Sequence, residues 1–285
     1  EEEISQFERL FSNLNQASLK REPGSLSSAV FLVAGTTVGA GILAIPAVTQ
    51  EAGFLAAAVT CVFCWLFMVI TGLLIAEVNV KTMFELGSGG VSLVSMTMRT
   101  LGKTGVQVAC ISYIFIHYAL LVAYVARSSD ILSHLFGSPQ WETASLFTLL
   151  FGSLCFFGSQ QVIGAVNGVL VVGIIASFAA LVVFSTGDLH WDALLKANFQ
   201  ASPSSIPIIA LSFVYQQNVV PVLCTNLEGD LSKIRTSIVV GTAIPLVLFL
   251  VWNAVILGSI PASEMGSNTA SSDPLQLLRS TNEVV

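Results

Sequence analysis

Apolar residues in this chain fall into seven long runs that are separated by short polar stretches. Most of the runs reach the roughly 20 residues that an α-helix needs to cross the hydrocarbon core of a bilayer. The fourth run is short and must cross steeply or be shielded by its neighbours. The pattern predicts an all-α, polytopic transmembrane helical bundle with about seven spans, at residues 26–49, 54–76, 105–126, 143–158, 162–186, 206–227 and 236–260.

The segments outside the spans show weaker patterns. Residues 87–90 are rich in glycine and predict a turn before an interfacial helix, whereas residues 190–196 predict a short helix with an interfacial Trp. Residues 261–285 are polar and are expected on the outer side. Residues 1–25 predict a short amphipathic helix on the cytoplasmic side, lying on the membrane surface or docked on the protein; its apolar side chains are Ile4, Phe7, Leu10, Phe11 and Leu14.

The composition indicates a membrane protein and argues against several other classes of protein. Hydrophobic residues make up 54% of the chain and charged residues only 10%, and the mean hydropathy is +0.82. A soluble domain needs far more polar surface, and nucleic acid binding needs a basic patch that this chain lacks. The lipid bilayer is therefore the expected surrounding, and no nucleic acid partner is expected.

The positive charges predict the orientation of the spans. Because Lys and Arg are enriched in cytoplasmic loops, a cytoplasmic N-terminus is favoured when most of them lie on that side. With that orientation, eight of the eleven Lys and Arg residues lie inside: Arg9, Lys20, Arg21, Lys81, Arg99, Lys103, Lys233 and Arg235. The pattern does not distinguish a plasma or bacterial inner membrane from a plastid membrane.

The first span contains Gly35, Gly39 and Gly41 within seven residues, with Thr36 and Thr37 between them. Each glycine weakens a helix by about 1 kcal/mol relative to alanine, and threonine hydroxyls can bond freed backbone groups. A broken helix is one reading, because half-helix ends hold substrate in secondary transporters. The other reading is a close-packing face for a neighbouring helix, and both can hold together.

The sixth span is also interrupted by polar residues at membrane depth. Residues 212–218 read Ser-Phe-Val-Tyr-Gln-Gln-Asn, and Pro221 removes a backbone donor just after them. Polar groups at this depth are costly unless the protein satisfies them. In one reading Gln216, Gln217 and Asn218 line a cavity beside aromatic rings; in the other, the two glutamines act as hydrogen-bonded glue between helices.

Two interrupted spans five positions apart are what an inverted repeat of five helices plus five predicts. Residues 35–46, Gly-Thr-Thr-Val-Gly-Ala-Gly-Ile-Leu-Ala-Ile-Pro, followed by Gly53 and Phe54, resemble the first-helix signature of the aromatic amino acid permeases. These are the tryptophan/tyrosine-specific transporters of the amino acid-polyamine-organocation superfamily. Ser212–Phe213 with residues 218–221 resembles that family's sixth-helix signature.

The resemblance implies a LeuT-type inverted repeat of about eleven helices with helices 1 and 6 broken, so this chain would end after the seventh. It also implies proton-coupled symport of tryptophan, tyrosine or phenylalanine, with no cofactor or metal. By position, the break at Gly35–Gly41 would meet the carboxylate and amine of the substrate. Bacterial members often carry a histidine in the sixth-helix break where this chain has Gln216 or Gln217, so a proton role there is not expected.

An amino acid zwitterion needs donors for its carboxylate and acceptors for its ammonium, and half-helix ends supply both. We expect backbone N–H groups around residues 37–41 to bind the carboxylate, and carbonyls at residues 34–36 and near Phe213 to bind the amine. Aromatic residues of the sixth and third spans, including Tyr118, would recognise the side chain. The full expected substrate site is Gly35, Thr36, Thr37, Gly39, Gly41, Phe213, Tyr215, Gln216, Gln217, Asn218, Tyr113 and His117.

Three ionisable residues are candidates for proton coupling or gating. His117 lies at the middle of the third span, where an ionisable group is either a functional residue or a neutral histidine satisfied by a nearby hydroxyl or carbonyl. Glu77 and Glu228 lie at the cytoplasmic ends of the second and sixth spans, where pairing with Lys or Arg as a gate or lock is expected.

Other functional classes find less support in the sequence. A seven-span receptor remains an alternative by span count, but a retinal protein needs a lysine in the last span and residues 236–260 contain none. No H-E-x-x-H or G-x-S-x-G motif indicates an enzyme, and no ring of like charges indicates a channel. A transporter of another neutral amino acid is the nearest alternative.

Overall fold

The computed structural model describes residues 14–15, 20–21, 24–39, 41–87, 91–185, 191–195 and 197–259. Two short strands form an antiparallel pair, β1 Leu14–Asn15 and β2 Lys20–Arg21. All other regular elements in these ranges are helices: α1 Leu26–Thr37, α2 Gly41–Thr49, α3 Gly53–Leu86, α4 Leu93–Phe136, α5 Gln140–Phe157, α6 Gln160–Ser185, α7 Trp191–Leu194, α8 Ser202–Ser212, α9 Gln216–Asn226 and α10 Leu231–Ser259.

Long apolar helices dominate the described residues, as a polytopic membrane bundle requires. Among the residues that the structure describes, four stretches are long and apolar enough to cross a bilayer, namely α3, α4, the combined α8 and α9, and Leu231–Gly258 of α10. Several helices exceed the predicted spans. The 34 residues of α3 extend about 51 Å at 1.5 Å per residue, so α3 continues well beyond a hydrocarbon core of about 30 Å.

A turn and a helix follow the second span where the sequence predicted them, while the interfacial position of that helix stays a prediction. Gly87 ends α3 with a left-handed backbone at φ 65°, a conformation that glycine adopts without steric cost. Helical backbone resumes at Leu93 and is interrupted once more at Gly102, where φ is 67° and ψ is −164°. The short helix predicted within residues 190–196 is also present, as α7 over Trp191–Leu194.

Residues 14–15 and 20–21 of the segment predicted as a helix form the strand pair instead, and the rest of that prediction up to residue 23 lies outside the described residues. Leu14 pairs with Arg21, and Asn15 pairs with Lys20, in an antiparallel register. Helix nucleation is costly, so isolated helical segments shorter than about 12–15 residues are marginal in water even when their spacing is amphipathic. The four other apolar residues of the predicted helix, Ile4, Phe7, Leu10 and Phe11, lie outside the described residues.

The chain divides into two compact units. The first contains Glu1–Leu93 and Ala179–Val285, and the second contains Val94–Phe178. In the first unit, α10 packs against α1, α2 and α3, while α3 also packs against α8 and α9. Its buried core draws on these helices: Ala29, Val33, Ala76, Val80, Tyr215, Val219, Val220, Leu223, Cys224, Leu227, Ile234 and Ile238.

The second unit comprises most of α4, all of α5 and most of α6. Hydrogen bonds join the end of α4 to the start of α5: the Thr143 hydroxyl donates to Ser129 O at 2.9 Å, and Gln140 Nε2 donates to Asp130 Oδ1 at 3.3 Å. Asp130 also pairs with Arg127 at 3.2 Å. These contacts fix the turn between the two helices.

The first turn of α10 is capped by Asp230. Its Oδ1 accepts from the backbone N–H groups of Ser232 at 3.1 Å and Lys233 at 3.2 Å, which have no partner inside the helix. Its Oδ2 lies 3.2 Å from the Lys233 ammonium. The hydrogen bond from the Lys233 backbone, followed by that from its side chain, lowers the pKa of the Asp230 carboxyl from its ordinary value of 3.8.

This lowered pKa gives Asp230 a predictable effect on pH stability. A carboxyl with a lower pKa in the folded state stabilises the fold above its unfolded pKa, and that contribution is lost as the pH falls through the folded pKa. We expect Asp230→Asn, which keeps a capping oxygen without the charge, to unfold at lower temperature than the parent at neutral pH. The difference should vanish at acidic pH. Parallel thermal unfolding curves across a pH series in detergent would check this, and a difference that grows on acidification would contradict it.

Candidate functional site

The first span is broken where its glycines predicted. Helix α1 ends at Thr37 and α2 begins at Gly41. Both threonine hydroxyls donate back into α1, from Thr36 to Leu32 O at 2.7 Å and from Thr37 to Val33 O at 2.7 Å. The break therefore leaves the carbonyl end of one half-helix and the N–H end of another at the same point of the chain.

The sixth span is broken over three residues, 213–215, between α8 and α9. The last turn of α8 tightens, since Phe213 N donates to Ala210 O at 3.1 Å and Val214 N donates to Leu211 O at 3.2 Å. Such i to i+3 bonds are common where an α-helix ends. Helix α9 then starts with new backbone N–H groups that have no partner within the helix.

The two breaks lie side by side. A Cβ placed on Gly41, the first residue of α2, would clash with the Oγ of Ser212, the last residue of α8, and would lie 3.0 Å from its Cα. Only glycine allows these two half-helices to approach so closely. As a result, four helix ends, two with carbonyls and two with N–H groups, meet in one small region of the first unit.

The predicted residues of the first break differ in their surroundings. Gly35, Thr36 and Gly39 are exposed, whereas Thr37 is buried and Gly41 is half-buried. A Cβ on Gly35 or Gly39 would meet nothing within 4 Å. Within the described part of the first unit, no neighbouring helix packs closely on these two glycines, so the close-packing reading has no partner there.

The predicted residues of the sixth break face in different directions. The Phe213 ring is fully buried against Phe249 of α10, with ring centroids 5.0 Å apart in an edge-on arrangement. Tyr215 and Gln216 are buried against α3, where both donate to Met68 O, at 3.2 and 3.1 Å. Of the remaining pair, Gln217 is half-buried and Asn218 is exposed.

The residues predicted from the third span belong to the second unit. Tyr113 and His117 lie one helical turn apart in α4, with ring centroids 4.0 Å apart, and Tyr118 is exposed. His117 Nδ1 lies 2.8 Å from the Tyr113 carbonyl. Because a carbonyl only accepts, Nδ1 carries the proton and Nε2 is the nitrogen that can take up another.

The two candidate gating glutamates differ. Glu77 of α3 pairs with Arg235 of α10 at 2.7 Å, with both side chains about half exposed. Glu228 follows α9 with a left-handed backbone at φ 52°, and its side chain makes no ion pair within the described residues. Glu77 therefore has an Arg partner, in α10, and its role as a gate or lock stays a prediction.

The structure adds residues that the sequence analysis did not select. Met68, Thr71 and Gly72 of α3 contact the sixth break, and Phe249 of α10 packs on Phe213. Met68 contributes through its backbone carbonyl, which leaves no trace in the sequence. Gly72 is a glycine inside an apolar run, and such a residue can mark a close contact with a neighbouring helix.

The chain matches a model of the Tryptophan/tyrosine permease family over residues 22–284. It is 31% identical over 241 residues to Tyrosine-specific transport system 2 of Haemophilus influenzae, covering 82% of this chain and 58% of the relative. It is 29% identical over 254 residues to the Tryptophan-specific transport protein of Shigella flexneri, covering 84% and 59%.

A third relative is named for a different substrate. The chain is 23% identical over 267 residues to Glutamine transporter 2 of Aliivibrio fischeri, covering 91% of this chain and 68% of the relative. The chain thus spans somewhat more than half the length of the tyrosine- and tryptophan-specific relatives, at 58% and 59%.

Proposed function

The chain belongs to the tryptophan/tyrosine permease family, and on that premise we propose that the full-length protein is a secondary active transporter of aromatic amino acids. Membership of a permease family makes it a multi-pass membrane protein and not an enzyme. The observation that carries the proposal is the contact between the two broken spans at Gly41 and Ser212. Irregular backbone at membrane depth is tolerated only where protein buries it or where it lines a cavity.

The paired breaks suit the zwitterionic part of an amino acid. In the proposal, N–H groups at the start of α2, near Gly39 and Gly41, bind the substrate carboxylate, because a helix N-terminus carries a partial positive charge. Carbonyls at the end of α1, around Gly35, Thr36 and Thr37, accept from the ammonium. The threonine hydroxyls already donate into α1, so their oxygens remain available as acceptors.

The side chain of the substrate is proposed to contact residues of the sixth span. Phe213, whose ring is buried against Phe249, is proposed to lie behind the substrate side chain, and Gln217 and Asn218 in the first turn of α9 are proposed as its polar contacts. For Tyr113 and His117 of the second unit, recognition of the substrate ring stays a prediction from the sequence, based on the preference of aromatic pairs for offset or edge-on contacts. An aromatic substrate is supported by the names of the tyrosine- and tryptophan-specific relatives.

We propose a LeuT-type inverted repeat and alternating access for the same protein. The breaks lie in the first and sixth predicted spans, which are five positions apart in the order of spans, as an inverted repeat of five helices requires. A cytoplasmic N-terminus follows from the distribution of Lys and Arg. In that orientation the Glu77–Arg235 ion pair joins α3 and α10 on the cytoplasmic side, where it can act as a gate.

Proton coupling is proposed to involve His117. Its Nδ1 proton is held by the Tyr113 carbonyl, which leaves Nε2 to accept a proton from the transport path. Gln216 cannot titrate, so it takes no part in this step. The proposal assigns one titratable group in the third span and a gating ion pair at the cytoplasmic end.

Uptake into proteoliposomes tests the proposed function. The full-length protein should accumulate labelled tryptophan, tyrosine or phenylalanine when an inward proton gradient is imposed, and His117→Ala should lose the dependence on that gradient. Glutamine and leucine belong in the same panel, since one relative is named as a glutamine transporter. If glutamine alone accumulated, the proposed substrate would be a neutral polar amino acid instead of an aromatic one. No uptake of any amino acid by folded protein would overturn the transporter proposal.

A further inference from the structure

The break in the sixth span is fastened to α3 at a single backbone carbonyl. Met68 O accepts from the Tyr215 hydroxyl at 3.2 Å and from Gln216 Nε2 at 3.1 Å. The same Gln216 nitrogen lies 3.0 Å from Met68 Sδ and 3.2 Å from Thr71 Oγ1. Both donor residues are buried, with exposed fractions of 2% and 8%, so losing these bonds would leave polar groups unsatisfied away from water.

Gln216 uses both ends of its side-chain amide. While Nε2 donates to α3, Oε1 accepts from the backbone N–H of Tyr215 at 3.1 Å. That N–H belongs to the break and has no helical partner. One side chain therefore satisfies the irregular backbone and attaches it to a neighbouring helix.

Gly72 is what makes the attachment possible. A Cβ at this position would clash with the Tyr215 hydroxyl and would lie 2.8 Å from Tyr215 Cζ. Any larger residue would push the Tyr215 ring and its hydroxyl away from Met68 O. Further along, Cys224 Sγ lies 3.9 Å from Ala76 O, so α9 stays in contact with α3 for several turns.

The two halves of the sixth span thus have different neighbours at the break. The end of α8 touches the start of α2 through Ser212 and Gly41, whereas the start of α9 is held by α3. We propose that Gln216, Tyr215 and Gly72 are positioning residues, which set the place and direction of the first turn of α9 by fixing it to Met68 O. The proposal deepens the transporter function and rests on it for its effect on transport.

Gln216→Glu turns this attachment into a pH-dependent one. When protonated, the introduced carboxyl has one O–H to donate to Met68 O and one oxygen to accept from the Tyr215 N–H. When ionised, it has no donor and places a charge against a carbonyl oxygen. The attachment should therefore hold at acidic pH and fail at alkaline pH, which the glutamine of the parent cannot do.

The test measures substrate exchange by the full-length protein in proteoliposomes with equal pH on both sides. Gln216→Glu should exchange labelled tyrosine near the parent rate at acidic pH and roughly tenfold or more slowly at alkaline pH, because small misplacements of a binding group cost large factors in rate. Gln216→Met, which has similar volume and no hydrogen bonds, should be slow at every pH. Equal pH profiles for the parent and Gln216→Glu would overturn the proposal.

Hydrogen–deuterium exchange of the peptide around residues 213–217 separates the attachment from the function. In Gln216→Glu, and not in Gln217→Glu, this peptide should lose protection at alkaline pH relative to the parent. Tyr215→Phe, a milder change, should lose part of the protection at all pH values. If the parent fails to transport any aromatic amino acid but the exchange result holds, the proposed function fails and the attachment stands. Unchanged protection in both Gln216→Glu and Tyr215→Phe would refute the attachment.

Discussion

Gly41→Ala is expected to reduce amino acid transport by the full-length protein roughly 100-fold or more while the helices remain folded. The added Cβ would clash with the Ser212 hydroxyl and lie 3.0 Å from the Ser212 Cα. A hydroxyl can rotate away, but the Cα belongs to the end of α8 and cannot. Helices α2 and α8 must therefore separate, and the proposed groups for the substrate carboxylate and ammonium move apart.

Two further variants make this prediction specific. Gly152→Ala in α5 introduces the same methyl group where nothing lies within 4 Å, so transport should stay near the parent rate. Combining Gly41→Ala with Ser212→Gly removes the hydroxymethyl group that the new methyl meets and leaves only backbone atoms close to it, so part of the activity should return. Initial uptake rates, normalised to the amount of correctly folded protein, give the comparison. Parent-like uptake by Gly41→Ala would show that the contact between the breaks is not needed for transport.

The sequence located both breaks because their cause is local. Three glycines near Thr37 weaken helical backbone wherever the chain is placed, and the polar residues 212–218 marked the interruption of the sixth span, whereas Pro221 lies inside α9 and not at the break. The structure accordingly ends α1 at Thr37 and interrupts the sixth span at residues 213–215. Interhelical glue by a glutamine was one of two readings for Gln216, and its bonds to Met68 and Thr71 are of that kind.

Other features depend on contacts that the sequence does not display. In a span that is apolar on every side, spacing does not indicate which face meets which neighbour, so the burial of Phe213 against Phe249 was not predictable. Met68 O is a backbone carbonyl oxygen, so no residue type in the sequence marks it as an acceptor. The partner of Glu77 lies 158 residues away, so the sequence predicted only the kind of partner. Leu14 has the spacing of an amphipathic helix in the sequence, but in the structure it pairs with Arg21 between two strands.

Of the two variants Gly41→Ala and Gly241→Ala in the first unit, Gly241→Ala is expected to cause the larger loss of stability. A Cβ on Gly241 of α10 would lie 2.6 Å from Val33 Cβ and 2.9 Å from the Val30 carbonyl oxygen, both in α1. The carbonyl is part of the α1 backbone, so the two helices must move apart. Overpacking of this kind typically costs about 1–3 kcal/mol, which exceeds the roughly 1 kcal/mol that alanine contributes through helix propensity.

The thermal midpoint of unfolding in detergent measures this effect, with Gly152→Ala as the matched control. Gly152 also lies within a helix but in open space, so its replacement should leave the midpoint unchanged or raise it. Gly241→Leu should lower the midpoint further than Gly241→Ala, because the clash grows with side-chain volume. A midpoint for Gly241→Ala equal to that of the control would mean that α1 and α10 are farther apart than the structure has them. Because α1 also carries the first break, a transport loss in Gly241→Ala should accompany its loss of stability.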